Sequence, residues 1–276
     1  MYKIQNNSFH FTPVRVKKYF SKKSYFLNFH KMEHITNKTI GIIGYGKLGH
    51  VIAERSEELG YKVLTSDDEK QNAEIASESE ILTLCIKPNK ADEVAEQIRR
   101  LIEKTDIVSF MAAVPAAKLH QAFGKRIERA MTNLGLDSVS CTNGNSNITE
   151  FCRSLSRGKM ESVSEEAKID LFTIGIGCLP GIAAWFFQHD FMRADNWLSK
   201  WADFLYSKLG IDREIFDKII KGVKEEGRYS ETVKRVKTPG GITESMIDKL
   251  EQDDSINFEI LLEAAMHRTN EIAEKI

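Results

Sequence analysis

The sequence predicts an α/β fold in which a doubly wound parallel sheet is followed by an all-helical domain. Three observations carry that expectation. The stretch Gly44-Tyr-Gly46-Lys-Leu-Gly49 is a G-x-G-x-x-G turn placed directly after an apolar run. From there to about residue 170, short apolar runs alternate with helical periods, as parallel strands joined by crossover helices require. Past residue 171 the strand signals give way to helical periods alone. The expected division is 38–170 for the sheet domain and 171–276 for the helical one.

Ile40, Ile42 and Ile43 form the first strand, and a helix over 47–59 follows with Leu48, Val51, Ile52 and Leu59 on its apolar side. Each glycine between them meets a separate demand: Gly44 the tight turn, Gly46 close approach of the backbone to a pyrophosphate, Gly49 close packing of helix on sheet. The helix start offers unpaired N–H groups and a positive dipole end to phosphates, Lys47 and Leu48 among them. A second strand over 61–65 comes at βαβ spacing after Gly60, so the segment reads as a Rossmann dinucleotide-binding domain. A glycine-rich turn that binds nothing is the blander alternative. Asp67 stands 18 residues beyond Gly49, where an acid accepts hydrogen bonds from the adenosine ribose hydroxyls. Asp68 beside it adds a second carboxylate that repels a 2′-phosphate, and no arginine stands nearby to offset the pair. NADH is therefore favoured, with NADPH as the alternative should Lys70 reach a phosphate or Asp67 merely cap the next helix.

The alternation continues. An apolar run over 81–86 ends in Lys87-Pro88, a helix covers 91–102, a strand 107–111, a helix Ala116–Phe123, and a strand 127–132. A strand over 160–163 closes the sheet, with Ser164 capping a helix through Glu165 and Glu166. The helical half is read as 182–209, Arg213–Glu226 and 244 to the end, with Gly210 and Gly227 as helix stops.

At 276 residues and 42% apolar content the chain can bury a full core for such an arrangement. Its net charge of −1 conceals an asymmetry. Residues 1–32 hold six lysines, one arginine and no acid, so the remainder carries 32 basic against 40 acidic side chains, a net of −8. An acidic body argues against a nucleic-acid partner. The leader has no apolar segment of signal-peptide type and reads as basic, disordered or spurious upstream sequence, with Met32 as a natural beginning. Cys85, Cys141, Cys152 and Cys178 match no metal or redox spacing, and single histidines such as His50 and His189 read as solvated or core residues rather than ligands, so no metal site is proposed. Reduced thiols place the chain in the cytoplasm by default. The uncharged run 171–189 contains Gly175, Gly177, Pro180 and Gly181, which suits a buried helix with a loop at its start better than a membrane span.

A second motif, Lys237-Thr238-Pro239-Gly240-Gly241-Ile242-Thr243, opens the last helical stretch. Two glycines after a proline make a turn whose successive N–H groups can converge, and Thr243 with Glu244 begins a helix whose positive end suits an anion. A carboxylate there gains about 0.3–2 kcal/mol from the dipole besides its hydrogen bonds. A helix-to-helix turn with Pro and Gly as punctuation is the alternative.

Taken in order, the glycine turn, Cys85-Ile86-Lys87-Pro88, Ala112-Ala113-Val114 before a helix containing Leu119, Arg129-Ala130-Met131-Thr132-Asn133, and Thr238-Pro239-Gly240-Gly241-Ile242-Thr243 resemble pyrroline-5-carboxylate reductase over residues 38–276. The resemblance implies a Rossmann domain followed by a helical domain through which two chains interlock, and reduction of the cyclic imine 1-pyrroline-5-carboxylate to L-proline by NAD(P)H. By position, Gly44, Gly46, Lys47, Leu48 and Gly49 would hold the pyrophosphate, and Lys87, Pro88, Ala112 and Ala113 would line the nicotinamide. Thr238, Gly241, Ile242 and Thr243 would receive the substrate carboxylate, with the Thr243 hydroxyl facing the ring nitrogen as the one catalytic side chain. Thr132, Leu134 and Gly135 depart from the family pattern beside the substrate region, as does the run 175–181.

Those departures keep two other readings in view: a diverged reductase of another small imine or keto carboxylate, and a non-catalytic nucleotide-binding paralogue. The β-hydroxyacid dehydrogenases fall back, because the helix beginning near Pro180 has no lysine until Lys200. Apolar stripes at Phe216, Ile219, Ile220 and Val223, and at Ile256, Ile260, Leu261 and Ala264, predict a homodimer or larger homo-oligomer.

Overall fold

Branched and apolar residues at successive positions, Ile42 and Ile43 for instance, point to opposite faces of a strand, so a sheet built from them must be covered on both sides. A computed structural model describes residues 38–275 apart from Asp67, Asp190, Asp254 and Ser255; the leader at 1–32 lies outside the described residues. Seven strands form one sheet: β1 (Thr39–Ile43), β2 (Lys62–Ser66), β3 (Ile81–Leu84), β4 (Asp106–Ser109), β5 (Glu128–Thr132), β6 (Ser138–Thr142) and β7 (Lys159–Val163), in the order β2-β1-β3-β4-β5-β6-β7. Helices α1 (Lys47–Glu58), α2 (Asn72–Glu78), α3 (Ala91–Ile98), α4 (Ala116–Phe123) and α5 (Ser146–Leu155) accompany it. Ile42 joins an apolar cluster with Ile52, Val108 and Phe151, while Ile43 joins one with Leu82, Val94 and Phe123.

The sheet is parallel with one exception. β5 and β6 pair antiparallel, Met131 opposite Ser140, joined by a turn in which Leu136 takes a left-handed φ of 52° and Asn133 bonds Asp137. The doubly wound, mostly parallel sheet followed by a helical region is as the sequence predicts; the antiparallel pair, with β6 and α5, was not foreseen. The strand Ser-Val-Ser-Cys-Thr carries little aliphatic signal, and its serines are buried nonetheless, the Ser138 hydroxyl donating to the Lys159 carbonyl. β7 does close the sheet, parallel to β6.

Beyond β7 the chain is helical: α6 (Ala167–Phe172), a π turn (Thr173–Gly177), α7 (Leu179–His189), α8 (Phe191–Leu209), α9 (Arg213–Glu226), α10 (Tyr229–Val236), α11 (Ile242–Gln252) and α12 (Phe258–Glu274). Gly175 and Gly177, expected in a loop, lie within the π turn instead, and the helix starts after Glu166 without a Ser164 cap. The expected helix 182–209 is two helices, the stretch from 244 onward is two more, and α10 is additional. The segment Ala167–His189 is long and apolar enough to cross a membrane, yet 78% of its apolar window is buried inside the chain. Phe216, Ile219, Ile220 and Val223 are buried within this helical core, as are Ile256 and Leu261, so these positions are not the uncovered stripes from which an oligomer was expected. The large apolar side chains left exposed include Met192 and Tyr206 on α8 and Ile260 on α12.

One buried charge ties the two halves together. Arg129 on β5 is 1% exposed and donates to Glu166 at 2.8 Å and to Asp170 at 2.7 Å, while Glu166 also accepts from the Ala116 N–H that opens α4. Arg129→Met is expected to cost about 2–3 kcal/mol, below the usual loss for a broken buried pair because both carboxylates retain contact with water. Urea unfolding checks this: the midpoint should fall with the slope unchanged.

Candidate functional site

Strand order reverses between β1 and β3, which places a crevice beyond their carboxyl ends. The Cys85 N–H donates to the Ile43 carbonyl at 2.8 Å, holding the two strand ends together. Cys85 itself lies one residue past β3, half-buried under the glycine turn. Gly44 has a φ of +94°, and a Cβ there would lie 2.7 Å from the Cys85 carbonyl group. A Cβ on Gly49 would meet the Gly44 carbonyl oxygen at 2.1 Å, so α1 can lie this close only with glycine. At Gly46 a Cβ would meet nothing within 4 Å: the space above it is open. No side chain caps Gly46 and no acid stands in the first turn of α1, so its N–H groups are available to an anion from outside the helix. These features fit a pyrophosphate.

The neighbouring strand ends supply the rest of one rim. Lys87 is exposed and Pro88 begins a short 3₁₀ turn (Pro88–Lys90) after β3. After β4, Ala113 takes a φ of 62°, uncommon for a residue with a Cβ, and Ala112 packs against the helical core. Asp67, next in sequence after the last residue of β2, lies outside the described residues. Leu48 is half-buried against the core beneath the sheet. The Lys47 ammonium does not turn back over the glycines; it donates to the carbonyls of Arg235 at 2.8 Å and Lys234 at 3.4 Å, at the end of α10.

That contact ties the helix of the first motif to the end of α10, two residues ahead of Thr238 and the second motif. The loop is braced from several sides. Lys237 pairs with Asp248 at 2.6 Å, and this bond holds the lysine above its usual range. Gly240, at φ +75°, donates its N–H to Glu244 at 2.6 Å, and its carbonyl accepts from Arg268 of α12 at 2.6 and 3.1 Å. The Gly241 N–H is engaged by the Thr238 carbonyl at 2.8 Å, so it closes the turn rather than facing outward. No side chain caps Gly241, which leaves the N–H groups of Ile242 and Thr243 as the opening donors of α11. Thr243 is 9% exposed, and its hydroxyl donates to the Cys178 sulfur at 3.2 Å.

Sequence reasoning noted Cys178 and Gly181 only within the divergent run 175–181, without their contacts to Thr243, and missed Arg268. A Cβ on Gly181 would touch Val236 at 2.4 Å and the Thr243 methyl at 3.1 Å, so α7 packs against the loop through this glycine. Nothing local marks these contacts: each joins residues far apart in sequence. Thr132 is expected beside the substrate; its hydroxyl donates to the Ser138 carbonyl and its own carbonyl lies 4.0 Å from a Cβ placed on Gly177. Cavities of about 430 Å³ between α3 and α4, and 460 Å³ at the amino ends of the strands around Lys38 and Asp106, lie away from this crevice. Among the described residues no three His, Cys, Asp or Glu side chains are grouped to hold a metal.

Comparison with known proteins agrees with this layout. A family model described as the NAD binding domain of D-isomer specific 2-hydroxyacid dehydrogenases matches residues 14–131. The glycerate dehydrogenase of Methylorubrum extorquens is 39% identical over 75 residues, 24% of this chain and 24% of that enzyme, so the match spans about a quarter of the curated relative. Among solved structures, the chain is similar to the pyrroline carboxylate reductase of Plasmodium falciparum with NADP bound (TM-score 0.54, 18% identity, 87% of this chain and 98% of that one). It is also similar to the 1-pyrroline-5-carboxylate reductase of Streptococcus pyogenes (TM-score 0.54, 16% identity, 87% and 99%). The pyrroline-5-carboxylate reductase of Coxiella burnetii gives a TM-score of 0.50 at 19% identity, covering 86% and 98%. At these identities the likeness is one of fold: a Rossmann-like sheet with a helical carboxyl-terminal region.

Proposed function

We propose that this chain is a nicotinamide-dependent reductase that converts 1-pyrroline-5-carboxylate to L-proline, with NADH favoured over NADPH. The observation that carries the reading is the Lys47 contact, which ties the first residue of α1, an uncapped helix start after the glycine turn, to the end of α10 shortly before the loop that opens α11. The glycine turn suits a pyrophosphate at Gly44, Gly46 and Gly49, and the start of α11 suits a small carboxylate at the N–H groups of Ile242 and Thr243, beside the turn that Thr238 and Gly241 close. The cofactor supplies a hydride to an imine carbon that is already electrophilic. The chain's own task is then to hold ring and nicotinamide at about 3–3.5 Å in a dry setting, which Ala112, Ala113, Lys87 and Pro88 at the strand ends would frame. In this reading Thr243 would meet the ring nitrogen with its hydroxyl, and the reaction needs no strong acid or base. The fold shared with three reductases of this substrate supports the reading.

A second reading, reduction of a small keto carboxylate, is favoured by the match of the cofactor half to a 2-hydroxyacid dehydrogenase domain. The two separate in one assay. Purified chain is given 1-pyrroline-5-carboxylate or hydroxypyruvate, each with NADH and with NADPH, and nicotinamide oxidation is followed. Turnover with the imine supports the proposal; NADH binding with turnover on hydroxypyruvate alone overturns it. In the same assay Asp67→Arg is expected to move the NADH to NADPH preference by about tenfold toward NADPH. An unchanged ratio would remove Asp67 from the ribose site. The helices that leave Met192, Tyr206 and Ile260 exposed are the proposed contact surface for a second copy of the chain.

A further inference from the structure

The π turn has a stereochemical effect at the substrate side. It inserts one residue into the helix running from α6 to α7, and each added residue rotates the remainder of the helix by about 100°. Its bond from the Cys178 N–H to the Thr173 carbonyl, 3.1 Å long, spans five residues. The Gly175 carbonyl within the turn is taken by the Trp201 indole N–H at 2.8 Å, and the Thr173 hydroxyl bonds the Ile169 carbonyl, so the irregular turn is held by side chains. The result is that Cys178 and Gly181 face Thr243 together. Thr243 is a stiff, β-branched side chain. Its methyl sits against Gly181 and its hydroxyl against the Cys178 sulfur, which fixes both the rotamer and the direction of the hydrogen.

We propose that Cys178 is the positioning residue of Thr243: by accepting the hydroxyl hydrogen it leaves only lone pairs on the Thr243 oxygen, so the site selects a protonated imine, which donates N–H, over a ketone, which cannot. This rests on the imine-reductase reading and deepens it. The thiol itself stays neutral, because burial pushes it up to about 11, and it carries no charge that would compete for the substrate cation. The balance of the step is simple. Hydride from the reduced nicotinamide forms the new C–H bond, the C=N π pair remains on nitrogen, and nitrogen keeps the proton it shared with Thr243. The products are oxidised nicotinamide and a secondary amine, which takes a further proton from water.

The test compares wild type with Cys178→Ala, Cys178→Ser, Thr243→Ala and the Cys178→Ala/Thr243→Ala double variant. Turnover on 1-pyrroline-5-carboxylate and on hydroxypyruvate is measured, together with NADH affinity, melting temperature, and calorimetric affinity of the NAD-loaded chain for L-proline. The expected result is a fall of about tenfold in imine kcat for Cys178→Ala, with NADH affinity unchanged and proline bound more weakly. Cys178→Ser, which restores an acceptor, should recover most of the loss. The double variant should match Thr243→Ala alone, since a partner that acts through Thr243 has nothing to act on once it is gone. Wild-type rates in Cys178→Ala, equal damage in the serine and alanine variants, or losses that multiply in the double variant would each overturn the proposal alone. A wild-type chain that binds NADH but does not reduce the imine overturns the functional reading, and this inference with it.

Discussion

Thr243→Ala is expected to lower kcat on 1-pyrroline-5-carboxylate by about a hundredfold while changing the dissociation constant for NADH by less than about twofold. The asymmetry follows from position. Thr243 lies in the first turn of α11, at the proposed carboxylate site, and its hydroxyl is bonded to Cys178 on the facing helix, so its loss touches no group on the glycine turn. The methyl contact at Gly181 is small, and its removal costs about 1 kcal/mol or less in stability. Thr243→Val serves as the control for shape, since it keeps the branched packing and removes only the oxygen. Steady-state kinetics and fluorescence titration with NADH decide the matter. Equal losses in turnover and NADH affinity would place Thr243 away from the substrate.

Gly46→Ala and Gly49→Ala are expected to fail in opposite ways. Gly46 has a negative φ of −76° and open space around the missing Cβ, so alanine is tolerated by the fold, and the melting temperature should stay within about 1 °C. The methyl nevertheless enters the space a pyrophosphate must occupy, and NADH affinity should fall by at least about tenfold. At Gly49 the added atom would meet a backbone oxygen at 2.1 Å, which no side-chain rotation relieves. The helix must move, at a cost of about 1–3 kcal/mol, and the melting temperature should drop along with affinity. If Gly46→Ala binds NADH as wild type does, the open space above the turn is not the cofactor site.

The sheet half of the fold was legible where a buried strand is also an apolar one. Ile40, Ile42, Ile43, Ile81, Leu82, Leu84, Ile107 and Val108 are buried and aliphatic, so composition marks their strands. β6 was hidden because Ser138 and Ser140 occupy buried positions that sequence reading reserves for aliphatics. In the helical half, the divisions between α7 and α8 and between α11 and α12 carry no strong punctuation signal in the sequence, and the glycines of the π turn gave the opposite impression, of a loop. The glycine turn could be read residue by residue because each demand on it is local. Cys178 could not, because its contact with Thr243 joins positions 65 residues apart and exists only once a π turn has rotated the helix.

The outer strand of the sheet has its own consequence for how copies of the chain can meet. β7 carries Lys159 and Glu161 at an edge, the lysine bonding Glu161 at 2.8 Å and reaching Asp212 at 3.4 Å. A second molecule laid alongside that strand would have to strip water from these charges to gain its ladder of hydrogen bonds, the cost by which edge strands resist fibril-like stacking. The charges at β7 thus disfavour lengthening of the sheet at that edge, in keeping with a contact surface proposed on α8 and α12 instead.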